Sequence, residues 1–301
     1  MRVDIHQHVW PTALIEELRR RTQPPRLEGW TLIIAGEAPY EVDPADHDVA
    51  SRAALAARDG LDTAIIGLSS PLGIEYLPPE QAAPLLDAYH EGCTELGPPF
   101  ACWAATSLKG IDPADLAKQL DRGCVGLQLP ATALADEQGY RHCGPLLDVL
   151  DERDLPLFVH PGPAADAGGA SPGWWPAIVS YVQQLHAAWF AFRAYGRPSH
   201  PGLRVCFTAL AGLGPLHGER VAARCSEGTL ARGLVDPGVF VETSSYGNRA
   251  VDGVVRVLGA DAVVFGSDRP YAEPRADFGL GDAFSHGIRT VNPARLLKGH
   301  G

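Results

Sequence analysis

The sequence has few positively charged residues for its size. Lys and Arg together number 25 in 301 residues, against 36 Asp and Glu, and the formal net charge at pH 7 is −11. Nucleic acids and anionic membranes are bound by basic surfaces, so this balance argues against both as partners. An anionic small molecule needs only one or two local arginines and is not excluded.

Long apolar runs are also lacking. No stretch approaches the ~20 residues of a membrane-spanning helix, and the first residues lack the basic and then apolar segments of a secretory signal. We therefore expect a cytoplasmic protein. The six cysteines are dispersed without a C-x-x-C pair, and we expect free thiols rather than disulfides or a cysteine metal site.

The sequence does contain a regular alternation of short apolar runs with longer segments of helical spacing. Stretches such as "DPADLAKQLDRG" and "CGPLLDVLDERD" carry apolar residues at intervals of three and four. Eight apolar runs are candidate strands: residues 3–5, 63–68, 100–106, 125–129, 157–160, 203–208, 239–243 and 262–266. This pattern predicts an α/β protein whose parallel strands close into a (β/α)8 TIM barrel, as a single domain over residues 1–301.

An open doubly wound sheet is the alternative architecture. It would need a glycine-rich phosphate-binding turn after an early strand, and neither "DIHQHVW" nor "GLSSPLG" provides one. Two insertions interrupt the alternation: residues 20–45, and "HPGPAADAGGASPGWWP" at residues 160–176, directly after the fifth predicted strand. Since barrel active sites lie at the C-terminal ends of strands, the second insertion is predicted to be a lid.

Three histidines and one aspartate stand at the ends of predicted strands. His6 and His8, in "VDIHQHVW", are two residues apart, so both project from the same face of the first strand. His160 ends the fifth strand in "PLFVHPGP", and Asp268 follows the eighth in "AVVFGSDRP". Imidazole and carboxylate bind zinc and similar ions, so the sequence predicts one divalent metal ion, with zinc as the first choice.

At these residues the chain resembles the amidohydrolase superfamily, and more closely the amidohydrolase 2 branch that contains aminocarboxymuconate-semialdehyde decarboxylase. The resemblance is carried by "DIHQHVWP", "LFVHPGP", "PGLRVCFTALAGLGPLHGER", "VVFGSDRPYAEP" and "TVNPARLLKG". It implies a metal ion held by His6, His8, His160 and Asp268, with a bound water as nucleophile or proton source, and a homodimer. The fourth strand carries Gln128 rather than a lysine that could be carbamylated to bridge two metals, so we expect a mononuclear site.

One position departs from the family's pattern. In the resembling proteins the sixth strand ends in a histidine, followed six positions later by a proline and then an arginine. Here Pro215 and Arg220 keep that register and place Ala209 where the histidine would be. Alanine cannot exchange a proton. Three interpretations remain open: His217 takes over as a catalytic residue, the metal alone lowers the pKa of its water toward ~7, or the metal cage persists without the ancestral turnover.

Other residues after the strands are candidates for binding substrate. Arg269 could pair with a substrate carboxylate or form a salt bridge at the barrel rim. Trp174 and Trp175 could cover a planar ligand or pack the lid against the barrel. Ser244 and the two residues after it could donate hydrogen bonds to substrate or form a polar turn.

These residues favour a metal-dependent enzyme acting on a small planar carboxylic acid, either aromatic or unsaturated. Non-oxidative decarboxylation is the favoured reaction, with Asp268 as the catalytic residue that handles the proton. Hydrolysis of a lactone or amide, with Asp268 as the base, is the alternative. A catalytically altered metal barrel that only binds a ligand is the third hypothesis, and Ala209 is the feature that supports it.

Overall fold

The computed structural model describes residues 1–35, 37–164, 172–225 and 234–298. Its strands, in chain order, are β1 (Val3–Gln7), β2 (Arg26–Glu28), β3 (Thr31–Ile33), β4 (Tyr40–Glu41), β5 (Thr63–Ile66), β6 (Phe100–Cys102), β7 (Leu127–Pro130), β8 (Leu157–His160), β9 (Val205–Phe207), β10 (Val239–Glu242) and β11 (Val263–Val264). Each of the eight predicted strands has a counterpart, in β1 and β5–β11. The predicted alternation of strands and helices is confirmed.

Helices separate the parallel strands. They are α1 (Thr12–Arg20), α2 (Val49–Arg58), α3 (Pro79–Leu96), α4 (Pro113–Asp121), α5 (Glu137–Glu152), α6 (Tyr181–Ala191), α7 (Arg197–Ser199), α8 (Ala209–Gly212), α9 (Gly218–Ala222), α10 (Asn248–Leu258), α11 (Asp282–His286) and α12 (Asn292–Lys298). Asp48, Asp112 and Asp136 start α2, α4 and α5 by accepting hydrogen bonds from backbone N–H groups of the first turn. Such caps satisfy donors that a helix leaves unpaired.

The parallel strands form two sheets in sequential order. One contains β1, β5 and β6, and the other contains β7 to β11. Pro130 at the end of β7 is paired with His160 at the end of β8, so neighbouring strands end at the same level. Because parallel strands point the same way, the side chains that follow them gather at one edge.

Backbone contacts also join the two sheets to each other at both sides. Ala104 forms a parallel bridge with Leu127, between β6 and β7. At the other side Gln7 forms a parallel bridge with Arg269, and the N–H of Ile5 donates to the carbonyl of Phe265 at 3.1 Å. The first and last parallel strands of the chain therefore lie side by side.

The strands enclose a small apolar cluster of their own. Its buried members come from the strands of both sheets, from Trp103 directly after β6 and from α12: Val3, Ile5, Ile65, Trp103, Phe158, Cys206, Phe240, Val264 and Leu296. The rings of Trp103 and Phe158 stack with centroids 4.8 Å apart. A larger cluster lies between the second sheet and its helices and contains Leu146, Trp189 and Val254. The apolar runs thus supply residues to both faces, as expected for parallel strands.

The first insertion contains structure that the sequence pattern did not indicate. β2, β3 and β4 form an antiparallel sheet, with Leu27 opposite Leu32 and Leu32 opposite Tyr40. These strands have only two or three residues each. Strands this short give no measurable alternation, which is why residues 20–45 lacked periodicity.

The second insertion is described only in part, because residues 165–171 of the predicted lid lie outside the described residues. After them, a π-helical turn over Pro176–Ser180 leads into α6.

All six cysteines are free thiols, as predicted. Within the described ranges, no helix has both the length and the hydrophobicity that crossing a membrane requires.

Candidate metal centre

Four predicted ligands meet where the parallel strands end. His6 lies within β1 and His8 directly follows it, His160 is the last residue of β8, and Asp268 lies four residues beyond β11. One potential ligand atom from each of the four lies within 4.8 Å of all the others. The structure therefore brings together residues separated by up to 262 positions in the chain.

The imidazole rings turn their Nε2 atoms toward a common centre. The Nε2 atoms of His6 and His8 are 3.1 Å apart, and Oδ1 of Asp268 lies 3.4 Å from the first and 3.3 Å from the second. The ring of His160 stands edge-on to both, with centroid distances of 5.0 and 5.1 Å. This arrangement presents three nitrogens and one oxygen to a single point.

The opposite nitrogen of each ring contacts a hydrogen-bond acceptor. Nδ1 of His8 is 2.9 Å from the carbonyl of Gly67, and Nδ1 of His160 is 2.8 Å from the carbonyl of Pro161. Nδ1 of His6 is 3.2 Å from a carboxylate oxygen of Glu242. Since these acceptors require an N–H, each neutral ring carries its proton on Nδ1.

The Nε2 lone pairs of the three rings therefore face one another. Lone pairs held this close repel unless a cation lies between them, and an outward Nδ1–H bonded to an acceptor is the usual support of a histidine that binds metal. Nitrogen and carboxylate donors suit zinc, manganese and related divalent ions. The residues present thus fit one divalent ion.

Burial and neighbouring charges set the protonation of these groups. Burial lowers the pKa of both His8 and His160, which favours neutral imidazoles. Burial also lowers the pKa of His6, but the carboxylates of Asp268 and Glu242 outweigh it and raise that pKa. Burial raises the pKa of Asp268, but the nearby imidazoles lower it by more. The net shift of the pKa is downward, so the carboxylate stays ionised. An ionised carboxylate is the form that binds metal.

Glu242, which the sequence analysis did not single out, is a central part of this site. It is the last residue of β10 and is completely buried. Besides His6, the N–H of Ala209 donates to it at 2.6 Å, and both the N–H and the hydroxyl of Ser244 donate to it. The sequence could have indicated Glu242, because it is an acidic residue next to the apolar residues of a predicted buried strand, in "VFVET". Carboxylates are rarely buried without partners.

The turn that carries Ala209 has an unusual backbone. From Ala209 to Leu213, five successive residues have φ between +46° and +61°. Four of them are not glycine, although residues with a side chain visit this left-handed region mainly one at a time. Ala209 lines the cavity beside the metal centre, so the position expected to hold a histidine is at the site and offers a methyl group.

Two of the predicted site residues are not placed at the centre. His217 does not line the cavity, and its ring packs edge-on against His186 at 5.0 Å. Arg269 is buried away from the cavity, where its guanidinium pairs with Asp59 at 3.1 Å and with Glu273 at 3.2 Å. Neither side chain lines the described cavity, so the structure gives no support to a catalytic role for His217, and for Arg269 it shows the alternative that the sequence left open, a salt bridge.

The predicted aromatic and hydroxyl contacts are placed in part. Trp174 is 56% exposed and does not line the cavity, whereas Trp175, the other predicted tryptophan, does. Ser244 lines the cavity, but its hydroxyl donates to Glu242. Gln128 is buried and donates to the hydroxyl of Ser70 at 2.9 Å, outside the group of four ligands.

A cavity of about 970 Å³ opens over the centre. Its wall includes the four candidate ligands, residues between β3 and β4, and residues of α6. Among the described residues that line it there is no lysine or arginine. Apart from the three imidazoles of the centre, the described wall consists of apolar, hydroxyl and acidic side chains.

Comparison with known proteins gives matches in structure alone. No family model matches the chain, and no match to a curated protein was found. IDCase of Metarhizium anisopliae, in apo form, is 18% identical at a TM-score of 0.80, with 99% of this chain and 97% of that chain covered. The 5-carboxyvanillate decarboxylase LigW of Sphingomonas paucimobilis is 17% identical at a TM-score of 0.77, with 99% and 98% covered.

A third solved structure was determined with a metal ion. The dihydroxybenzoic acid decarboxylase of Polaromonas, bound to manganese and the inhibitor 2-nitroresorcinol, is 18% identical at a TM-score of 0.70, with 99% of this chain and 96% of that chain covered. Similarity at this level of identity shows that the chain shares the fold of these structures. The expectation of an α/β fold with parallel strands, like that of these structures, is confirmed.

Proposed function

We propose that this chain is a metal-dependent decarboxylase of an aromatic or unsaturated carboxylic acid. The observation that carries the proposal is the convergence of three imidazole Nε2 atoms and one carboxylate at the C-terminal ends of parallel strands. Barrels of this kind hold their active sites at that end. Two structures of the same fold are described as decarboxylases of aromatic acids, which supports the reaction class.

The proposed cofactor is one divalent ion, either zinc or manganese, with His6, His8, His160 and Asp268 as its ligands. When bound, it would polarise the oxygens of the substrate and withdraw electron density from the reacting carbon. Zinc is the first expectation from the ligand types, and the manganese of the Polaromonas structure makes manganese the second. Glu242 is proposed to hold His6 in its ligating orientation through Nδ1.

The proposed role of Asp268 is to carry the proton. Decarboxylation breaks the bond between the carboxylate carbon and the adjacent carbon, CO2 leaves, and the electron pair stays on the substrate, which takes up one proton. Because Asp268 is ionised, it must first accept that proton from solvent or from a substrate hydroxyl and then donate it. His217 and Arg269 have no part in the proposal.

Hydrolysis of a lactone or amide is a second candidate, and one observation favours it. The described cavity-lining residues include no lysine or arginine that could pair with a charged substrate. A neutral lactone or amide needs no such partner. The ionised carboxylate of Asp268 would then serve as the base that removes a proton from the attacking water.

An assay of the metal-loaded protein separates the candidates. We expect CO2 release from hydroxybenzoate-type acids, with one proton consumed per CO2, and loss of activity in Asp268→Asn. Proton release from aryl lactones without CO2 would support hydrolysis instead. If neither reaction occurs although the metal is bound, the enzyme proposals fail and ligand binding alone remains.

We further propose that the eight parallel strands form a closed barrel and that residues 1–301 form one domain. The backbone bridges between β6 and β7, and between β1 and the segment after β11, support closure. The apolar cluster shared by both sheets supports a single core.

A further inference from the structure

The cavity over the metal centre is larger than a one-ring acid requires. Its volume is about 970 Å³, near the upper end of the roughly 300–1,000 Å³ found for pockets that enclose drug-sized ligands. Much of its wall is apolar and is formed by Ile34, Leu72, Val182, Leu185 and Leu213. A single substituted benzene ring would leave most of this wall uncovered.

The described residues that line the cavity include no lysine or arginine. Arg52 is engaged by the carbonyls of His8 and Asp46 at 2.7 and 2.8 Å, and Arg269 is held by Asp59. Neither of these arginines lines the cavity, nor does any other described lysine or arginine, and the sequence of residues 165–171 contains none. A second anionic group on a ligand would therefore be buried without a cation, which is costly.

Neutral hydroxyl groups take the place of cations around the centre. Thr208, immediately before Ala209, is 1% exposed and lines the cavity, and its hydroxyl has no hydrogen-bond partner in the described part of the chain. Tyr181 lines the cavity as well and donates to Glu37. A buried hydroxyl without a partner indicates an unfilled contact for a neutral polar group.

We infer that the substrate is a monocarboxylic acid with a large apolar body, carrying no charged group other than the carboxylate that meets the metal. The inference rests on the proposed function for the position of that carboxylate. The apolar body would lie against Leu72, Val182 and Leu213, and a neutral polar substituent near the head would meet the hydroxyl of Thr208. Burial of the body supplies affinity in proportion to the apolar area removed from water.

The test compares three acids that share one head group. The acids are 2-hydroxybenzoate, its 5-phenyl derivative and its 5-carboxy derivative, and their dissociation constants are measured by calorimetry on manganese-loaded protein. We expect the phenyl derivative to bind roughly 10- to 100-fold more tightly than the parent acid and the dicarboxylate to bind no more tightly than the parent. A phenyl gain below threefold, or a tighter dicarboxylate, overturns the inference.

Two matched variants locate the apolar body. Val182→Phe narrows the cavity from α6 and should reduce the affinity ratio of the phenyl derivative to the parent at least fivefold. Val179→Phe, in the π-helical turn and outside the cavity wall, should keep the ratio of the wild type. Circular dichroism confirms folding of both. An unchanged ratio in Val182→Phe overturns the assigned location.

Turnover is measured separately, so that the substrate class and the reaction can fail independently. Tight binding of the phenyl derivative without CO2 release overturns the decarboxylase proposal and leaves the substrate class standing. CO2 release from the parent or from the dicarboxylate, with no gain from the phenyl group, supports the decarboxylase and overturns the substrate class.

Discussion

Glu242 illustrates how one residue can connect several parts of a site. A buried carboxylate is costly unless donors surround it, and Glu242 accepts hydrogen bonds from His6, from the backbone of Ala209 and from Ser244. The same side chain therefore orients His6, a candidate metal ligand, and holds the turn at Ala209, the position where a histidine was expected. Its position explains why Ser244 faces inward without being free to bind substrate.

Replacing Glu242 should weaken metal binding while the protein stays folded. Glu242→Gln keeps the size of the side chain but loses the charge that orients His6 through Nδ1, and loss of such support typically costs 10- to 100-fold in metal affinity. Competition with a chelating dye measures the affinity. Glu273→Gln, whose side chain is 89% exposed, is the control and should bind metal as the wild type does. Equal affinity in Glu242→Gln would show that Glu242 has no orienting role.

Glu75 should make stability depend on pH. Burial raises its pKa from 4.5 to about 7, so between these values the folded state keeps a proton that the unfolded state has lost. The free energy of unfolding therefore falls by about 3 kcal/mol as pH rises through this window, and no further above it.

Glu75→Gln removes this dependence. Relative to the wild type, the variant should gain about 3 kcal/mol between pH 4.5 and pH 8, measured by urea unfolding at several pH values. The exposed Glu80→Gln should follow the wild-type profile. Parallel profiles for Glu75→Gln and the wild type would contradict the assignment.

Prediction from sequence succeeded where a residue's role follows from its position on a strand. The sequence predicted that His6, His8, His160 and Asp268 would meet, because side chains at the C-terminal ends of parallel strands gather at one edge. The choice between substrate binding and a salt bridge stayed open for Arg269, because the sequence does not show that Asp59, more than 200 residues earlier, pairs with it. Thr208 was missed because an unpartnered hydroxyl is recognised only once its surroundings are known.

The left-handed turn at Ala209–Gly212 is the most strained element near the site. Left-handed geometry costs roughly 1–2 kcal/mol per residue that bears a side chain, and strain of this kind persists where surrounding contacts enforce it. Here the hydrogen bond from Ala209 to Glu242 is one such contact. Sequence periodicity could not reveal the turn, since "TALAGLG" reads equally well as the start of an ordinary helix.

Glycine should relieve this strain. We expect Ala209→Gly, at φ +46°, to raise the free energy of unfolding by about 0.5–1 kcal/mol because glycine has no Cβ to clash. Ala187→Gly, on an exposed position of α6, should lower it by a similar amount, as glycine does in a right-handed helix. Chemical denaturation measures both. A loss of stability in both variants would mean that the turn is not strained.

At the scale of the whole molecule, the centre depends on joining the two ends of the chain. His6 lies in the first parallel strand and Asp268 in the segment that follows the last one, and the N–H of Asp268 donates to the carbonyl of His6 at 2.8 Å. An ion that binds only the folded chain stabilises it by mass action. Metal binding and stability should therefore rise together.

The chain has a net charge of −11, and no described residue lining the cavity is a lysine or arginine. Both facts agree with the proposal that a metal ion binds the carboxylate of the substrate. Since the described residues of the wall include no such cation, the proposed ion would be the partner of a ligand's carboxylate, and removing the ion should weaken the binding of acids. Composition alone indicated the excess of acidic residues, but only the fold shows that the arginines near the site are engaged elsewhere.

The central claim is that His6, His8, His160 and Asp268 hold one divalent ion, and metal stoichiometry tests it most directly. Protein stripped with a chelator is dialysed against zinc or manganese, and bound metal is measured by elemental analysis. We predict close to one ion per chain for the wild type and for His217→Ala, and a loss of most of the metal in His160→Ala. No metal uptake by the wild type, or full uptake by His160→Ala, would contradict the account.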